Sequence, residues 1–147
     1  MEALELCLDT DVVIEFLKDQ SSAASKLIRE SRDRVRFFVT SITVYELIYG
    51  PSYGGYEKEL DDVRTFLLWV TVLPLDAESA RIAAEIDAML HKKGKLVGLR
   101  DVFIAAICCR NEIPLVTRNV SHFNLITKET RCKLEIFTPE EALQMLP

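Results

Sequence analysis

Short apolar runs alternate with longer segments of helical periodicity along this chain, and that alternation constrains the fold more than any other feature. Leu4-Glu5-Leu6-Cys7-Leu8, Val35-Arg36-Phe37-Phe38-Val39, Val70 to Leu75, Pro114-Leu115-Val116-Thr117 and Leu134-Glu135-Ile136-Phe137 read as five strands. Helices are predicted over Val12 to Lys18, with Thr10 or Asp11 as N-cap, and over Ser22 to Ser31. Ser41 caps a helix that runs to Tyr49 and stops at Gly50-Pro51. A charged helix spans Glu57 to Trp69. Asp76 caps another, whose apolar stripe is Ile82, Ile86, Met89 and Leu90. Asp101 to Asn111 has an almost wholly apolar body and reads as a buried helix. Thr138-Pro139-Glu140-Glu141 is a capping box with proline at the first helical position. Strands separated by helices imply right-handed crossovers and a parallel sheet. The fold class is therefore α/β, a three-layer α/β/α sandwich with a parallel sheet of about five strands, and the 147 residues make a single domain.

Composition narrows function by exclusion. Half the chain is apolar (49%), enough for a core, yet no run approaches the ~20 residues of a membrane span. The opening Met1-Glu2-Ala3-Leu4-Glu5-Leu6 has no basic leader, so the expected location is cytoplasmic. A net charge of −5 argues against a protein that coats DNA, but not against a nucleic-acid enzyme that reaches phosphate through a metal or a local basic patch. Cys7, Cys108, Cys109 and Cys132 form no C-x-x-C pair. They are expected to be reduced, mostly buried thiols rather than zinc ligands.

In a parallel α/β sheet, ligands bind at the carboxyl ends of the strands. Asp9 ends the first strand, Asp101 opens the buried helix, and Glu46 lies just over one turn into the helix after the second strand. Gathered carboxylates repel one another unless a cation sits among them. Hard oxygen ligands select Mg²⁺ or Mn²⁺, and such a metal can activate water and stabilise the leaving oxygen of a phosphodiester. Asp9 and Asp101 also sit where a carboxylate merely favours a helix start. Glu46, between Tyr45 and Leu47 on an apolar helix, is harder to explain that way.

Those residues carry a resemblance. Leu8-Asp9-Thr10-Asp11-Val12-Val13-Ile14 resembles the opening motif of the PIN-domain ribonucleases. Ser41-Ile42-Thr43-Val44-Tyr45-Glu46-Leu47-Ile48-Tyr49-Gly50 resembles their second motif, Asp101-Val102-Phe103-Ile104-Ala105-Ala106 the third, and Leu115-Val116-Thr117-Arg118-Asn119 with Phe123 the fourth. The match runs in order through nearly the whole chain and is most similar to the VapC-type toxins of toxin–antitoxin pairs. The resemblance implies a PIN-like fold and an endoribonuclease using Mg²⁺ or Mn²⁺. It makes Asp9, Glu46 and Asp101 the metal ligands, with Thr117 positioning the site through its hydroxyl. Asn119 stands where many members carry a fourth acid, so any second metal is held less tightly. Asp11 reads as a helix cap. The resemblance also implies RNA as substrate, a homodimer, and a small antitoxin that places a basic side chain against Asp9, Glu46 and Asp101.

The remaining features are read from the residues. Lys92, Lys93, Lys95 and Arg100 form the densest basic stretch and lead into Asp101. With Arg118 they are the candidate contacts to RNA phosphates. His122 reads as a partly exposed loop residue. Tyr53-Gly54-Gly55-Tyr56 reads as a helix–helix loop or a mobile element whose aromatics stack on bases. Trp69 and Phe66-Leu67-Leu68 exceed what a core needs and suggest a dimer face. Two other functions fit parts of the sequence. One is a PIN-fold module that binds RNA or protein without cutting, which Asn119 keeps open. The other is a haloacid-dehalogenase-type phosphatase with Asp9 as nucleophile and Asp11 as acid–base, which leaves Glu46 without a role.

Overall fold

The computed structural model describes residues 4–146. The opening residues 1–3, on which the absence of a leader was read, and residue 147 lie outside them. Five strands form one parallel sheet: β1 (Leu4–Leu8), β2 (Val35–Thr40), β3 (Thr71–Leu73), β4 (Leu115–Val116) and β5 (Ile136–Phe137), in the order β3-β2-β1-β4-β5. The last three strands are shorter than the apolar runs that mark them. β4, for instance, pairs with β1 through Cys7↔Leu115 and Leu8↔Val116.

Side-chain alternation along the strands makes two cores, one on each face of the sheet. Leu6, Leu8, Val35, Phe37, Val39 and Val116 face α1 (Thr10–Lys18), α2 (Ala23–Ser31), α4 (Glu57–Leu67) and α8 (Pro139–Met145). Cys7, Phe38 and Leu115 face α5 (Ala77–Lys92), α6 (Leu99–Asn111) and α7 (Val120–Glu129). α3 (Ser41–Gly54) follows β2 and sends Leu47 into the first core. The three-layer sandwich is thus as the alternation predicts. Among the described residues no helix is long and apolar enough to cross a membrane.

Local boundaries differ in instructive ways. α3 is capped by Thr40, whose Oγ1 accepts from Thr43 N, rather than by Ser41; Ser41 Oγ accepts instead from Leu75 N. The helix does not stop at Gly50-Pro51. It gives up the bond Pro51 cannot donate and runs to Gly54, ending where Gly55 takes φ +72°. Tyr53 is therefore helical, and Tyr45, Tyr49 and Tyr53 stack along one exposed face at centroid spacings of 5.8 and 5.9 Å. Phe66 is a core residue, and Trp69 packs on Phe16 and Phe66 beneath the Arg32 guanidinium. Leu68 stays largely exposed and Trp69 about half so, which makes the run less of a surplus than the sequence suggests.

The cysteines require a correction. Cys7 and Cys108 are buried free thiols, as expected, but Cys109 and Cys132 form a disulfide across 23 residues. The fold lays the last turn of α6 against the segment after α7, bringing the two Cα atoms to 6.0 Å, within disulfide reach. No local spacing in the sequence announces that approach.

Candidate active site

The strand order reverses about β1, and the carboxylates lie at its carboxyl edge. Asp9 follows β1 directly and caps α1: its Oδ1 accepts from Thr10 N at 2.8 Å. Thr117, just past β4, donates its hydroxyl to Asp9 Oδ2 at 2.7 Å. Asp9 is 1% exposed, and burial raises its carboxyl pKa, against the pull of Arg100, Thr117 and the Thr10 N–H. Glu46 reaches the same place from the second turn of α3. Thr10 Oγ1 donates to its Oε1 at 2.6 Å and lies 2.9 Å from Thr43 Oγ1, whose own hydroxyl can donate to it. Asp101 is buried in the first turn of α6, where a carboxylate suits the helix dipole. Asn119 closes the fourth side. Its N–H donates to Thr117 Oγ1 at 2.9 Å and its Nδ2 to Asp101 Oδ2 at 3.1 Å.

One cation ties the three acids together. The Arg100 guanidinium donates Nη2–H to Asp9 Oδ1 at 2.9 Å, Nε–H to Glu46 Oε2, and Nη1–H to Asp101 Oδ1. Burial pulls the Arg100 pKa down, but Asp9, Glu46 and Asp101 push it above the ordinary arginine value, so it stays charged. Arg100 is turned to the three acids, so a basic side chain of the chain itself lies against them.

The other basic candidates are not gathered at this site. Lys93 pairs with Glu129 at 3.2 Å, at the end of α7 about 15 Å along the helix from Asn119. Lys92 and Lys95 are exposed. Arg118 is held by Glu15 at 3.0 Å and by Glu140. His122 is a helical residue of α7 and not a loop residue. Its Nδ1 lies 2.9 Å from Asp101 Oδ2 and 2.8 Å from Asn119 Nδ2. Sequence reading also passed over Thr10 and Thr43, the hydroxyls that orient Glu46. The alternation of Thr10 with Asp9 and Asp11, and of Thr43 with Glu46 one turn on, was the available signal.

Asp11 caps nothing. It sits in the first turn of α1 and accepts from Arg118 N at 3.1 Å, while its buried Oδ1 has no partner among the described residues. Burial, then the charge of Asp9, pushes its carboxyl up to about 6 from 3.8. The folded state therefore holds an extra proton between those values, and stability falls as pH rises through that window. Asp11→Asn is expected to stabilise the protein by about 1 kcal/mol near pH 8, since solvent screens part of the charge. The gain should vanish below about pH 4, where Asp11 is protonated folded or unfolded. Urea titrations in EDTA at both pH values check this.

The donor set suits a hard divalent cation: three carboxylates, with Asn119 beside them, converge on one cationic centre. As the side chains stand, no group of three or more His, Cys, Asp or Glu among the described residues is disposed to hold a metal ion, and the Arg100 guanidinium lies among the three acids. A profile of the PIN domain matches residues 6–127. The chain belongs to the PIN domain family.

Its relatives within that family include a Haemophilus influenzae protein named Ribonuclease VapC2. The two are 33% identical over 84% of this chain and 92% of the relative. A Salmonella typhimurium protein named tRNA(fMet)-specific endonuclease VapC is 32% identical over the same shares. Among solved structures, the DNA-bound VapBC of Salmonella typhimurium contains a chain similar to this one. The TM-score is 0.78, with 28% identity over 92% of this chain and 98% of that chain. Membership in the PIN family sets aside the dehalogenase-type phosphatase. Its acid–base, Asp11, is turned to the Arg118 backbone, and its nucleophile, Asp9, is pinned by Thr10, Thr117 and Arg100.

Proposed function

We propose that this chain is a metal-dependent endoribonuclease that hydrolyses RNA phosphodiester bonds, acting as the toxin of a toxin–antitoxin pair. The observation that carries the reading is the convergence of Asp9, Glu46 and Asp101, from three distant segments, on one centre at the switch point of a PIN-fold sheet. The names of its relatives, Ribonuclease VapC2 and tRNA(fMet)-specific endonuclease VapC, support RNA as the substrate. The solved VapBC complexes support a small antitoxin as the partner. A cytoplasmic location follows from that role. There the Cys109–Cys132 pair meets a reducing thiol pool.

Asp9, Glu46 and Asp101 would hold Mg²⁺ or Mn²⁺, with the Asn119 side-chain oxygen as an uncharged addition. When bound, such a metal supplies an activated water and neutralises charge on the phosphoryl oxygens. The chain's own part is positional. Thr117 and the Thr10 N–H fix Asp9, and the Thr10 hydroxyl fixes Glu46. Asn119 braces Asp101 on the side opposite Arg100. His122, with Nδ1 2.9 Å from Asp101 Oδ2, adds a second polar neighbour on that side.

A circular RNA tests the endonuclease reading, because an exonuclease finds no end on it. The expected result is opening of the circle in Mn²⁺ or Mg²⁺ and none in EDTA. A circle that stays closed while the protein retains it would favour the binding module that does not cut. A homodimer belongs to the same proposal. It is supported by the exposed Tyr45–Tyr49–Tyr53 face more than by Trp69, and a light-scattering mass of one chain would overturn it.

A further inference from the structure

We propose that Arg100 is an internal competitor of the metal: its guanidinium closes the carboxylate cluster when no divalent cation is bound and must swing out to admit one. The inference rests on the reading of Asp9, Glu46 and Asp101 as metal ligands. It concerns how that site is gated, not which bond it cuts.

Three observations carry it. First, one side chain satisfies all three acids, each through a different nitrogen. A surface arginine with one carboxylate partner is commonplace; a planar fork spread over three carboxylates fills the space where they converge. Second, Arg100 stands against its own helix. It lies in the first turn of α6, where the dipole disfavours a cation, and Gly98 offers no side-chain cap. The acids, and not the helix, hold it there. Third, its way out is open. The side chain is 34% exposed, against 1% for Asp9 and 6% for Asp101, and it springs from a helix end preceded by the irregular segment 95–98.

The charges require the exchange. Three carboxylates and one guanidinium sum to −2, which still attracts a divalent ion. That ion and the guanidinium seek the same oxygens, so bringing both inside stacks two cations at contact distance. The apparent metal affinity is then the intrinsic affinity reduced by the fraction of molecules in which Arg100 is already out. A chain with this device works only above a metal threshold that Arg100 sets.

Calorimetric titration of the full chain with Mn²⁺, without RNA, tests the proposal. Arg100→Gln is expected to bind Mn²⁺ at least tenfold more tightly than wild type. Arg118→Gln removes an equal charge that is tied to Glu15 and Glu140, and should change the affinity less than threefold. Arg100→Lys, with a point charge that cannot span three acids, should fall between and serves if Arg100→Gln does not fold. In NMR spectra the Arg100 Nε–H signal, sheltered against Glu46 in EDTA, should move and exchange rapidly with water on saturation with Mg²⁺. Equal or weaker Mn²⁺ binding by Arg100→Gln, or an Nε–H signal that Mg²⁺ leaves in place, overturns the competitor. Absence of Mn²⁺ binding in every variant overturns it as well, and in that case takes the metal-ligand reading with it.

Discussion

Asp9→Asn is expected to leave the fold intact and to slow RNA cleavage on the order of 10³-fold, or about 4 kcal/mol of barrier. The two effects separate because Asp9 has two jobs. As a helix cap, asparagine serves as well as aspartate, so the bond from Thr10 N survives. Thr117 can turn its hydroxyl to accept where it now donates. Burial already raises the Asp9 pKa, so loss of the charge relieves a desolvation cost that offsets the lost pairing with Arg100. As a metal ligand the exchange is severe. Loss of a partner one bond removed from a metal typically costs about 10–100-fold, and a direct carboxylate costs more. Thermal unfolding in EDTA beside initial rates in Mn²⁺ checks both halves. A variant that melts like wild type and cuts like wild type would remove Asp9 from the chemistry.

Phe123→Ala should produce the largest loss of stability, about 3–5 kcal/mol in urea titration. Phe123 is fully buried on α7, in the core shared with α5 and α6. α7 brings Asn119 and His122 to Asp101, so the cavity loosens the fourth wall of the site as well. The molecules that stay folded are expected to cut more slowly. An unaltered rate per folded molecule would mean that α7 positions nothing the reaction needs.

The acids were legible because each occupies a place that local rules mark. Asp9 ends an apolar run, Asp101 opens a buried helix, and Glu46 breaks an apolar one. Their partners were not legible for physical reasons. Lys92 through Arg100 reads as one basic stretch, but the chain turns at Gly94, with φ +68°, and restarts a helix after Gly98. Arg100 therefore faces the acids, while Lys93 reaches the far end of α7. Asn119 is a favoured residue at a helix start, but its side chain turns to Asp101 instead of capping α7, and His122 passed as a loop residue. The Cys109–Cys132 approach is a product of packing between α6 and the segment after α7, invisible to spacing rules. α3 outran its Gly50-Pro51 stop, because a proline removes one donor without ending a helix held at both sides.

The central claim is that the carboxylate cluster cuts RNA with a metal. Wild type and Asp101→Asn, purified identically and given the same circular RNA in Mn²⁺ and in EDTA, test it most directly. The account predicts opening of the circle by wild type in Mn²⁺ alone and none by the variant. Equal opening by both proteins, or opening that persists in EDTA, would contradict it.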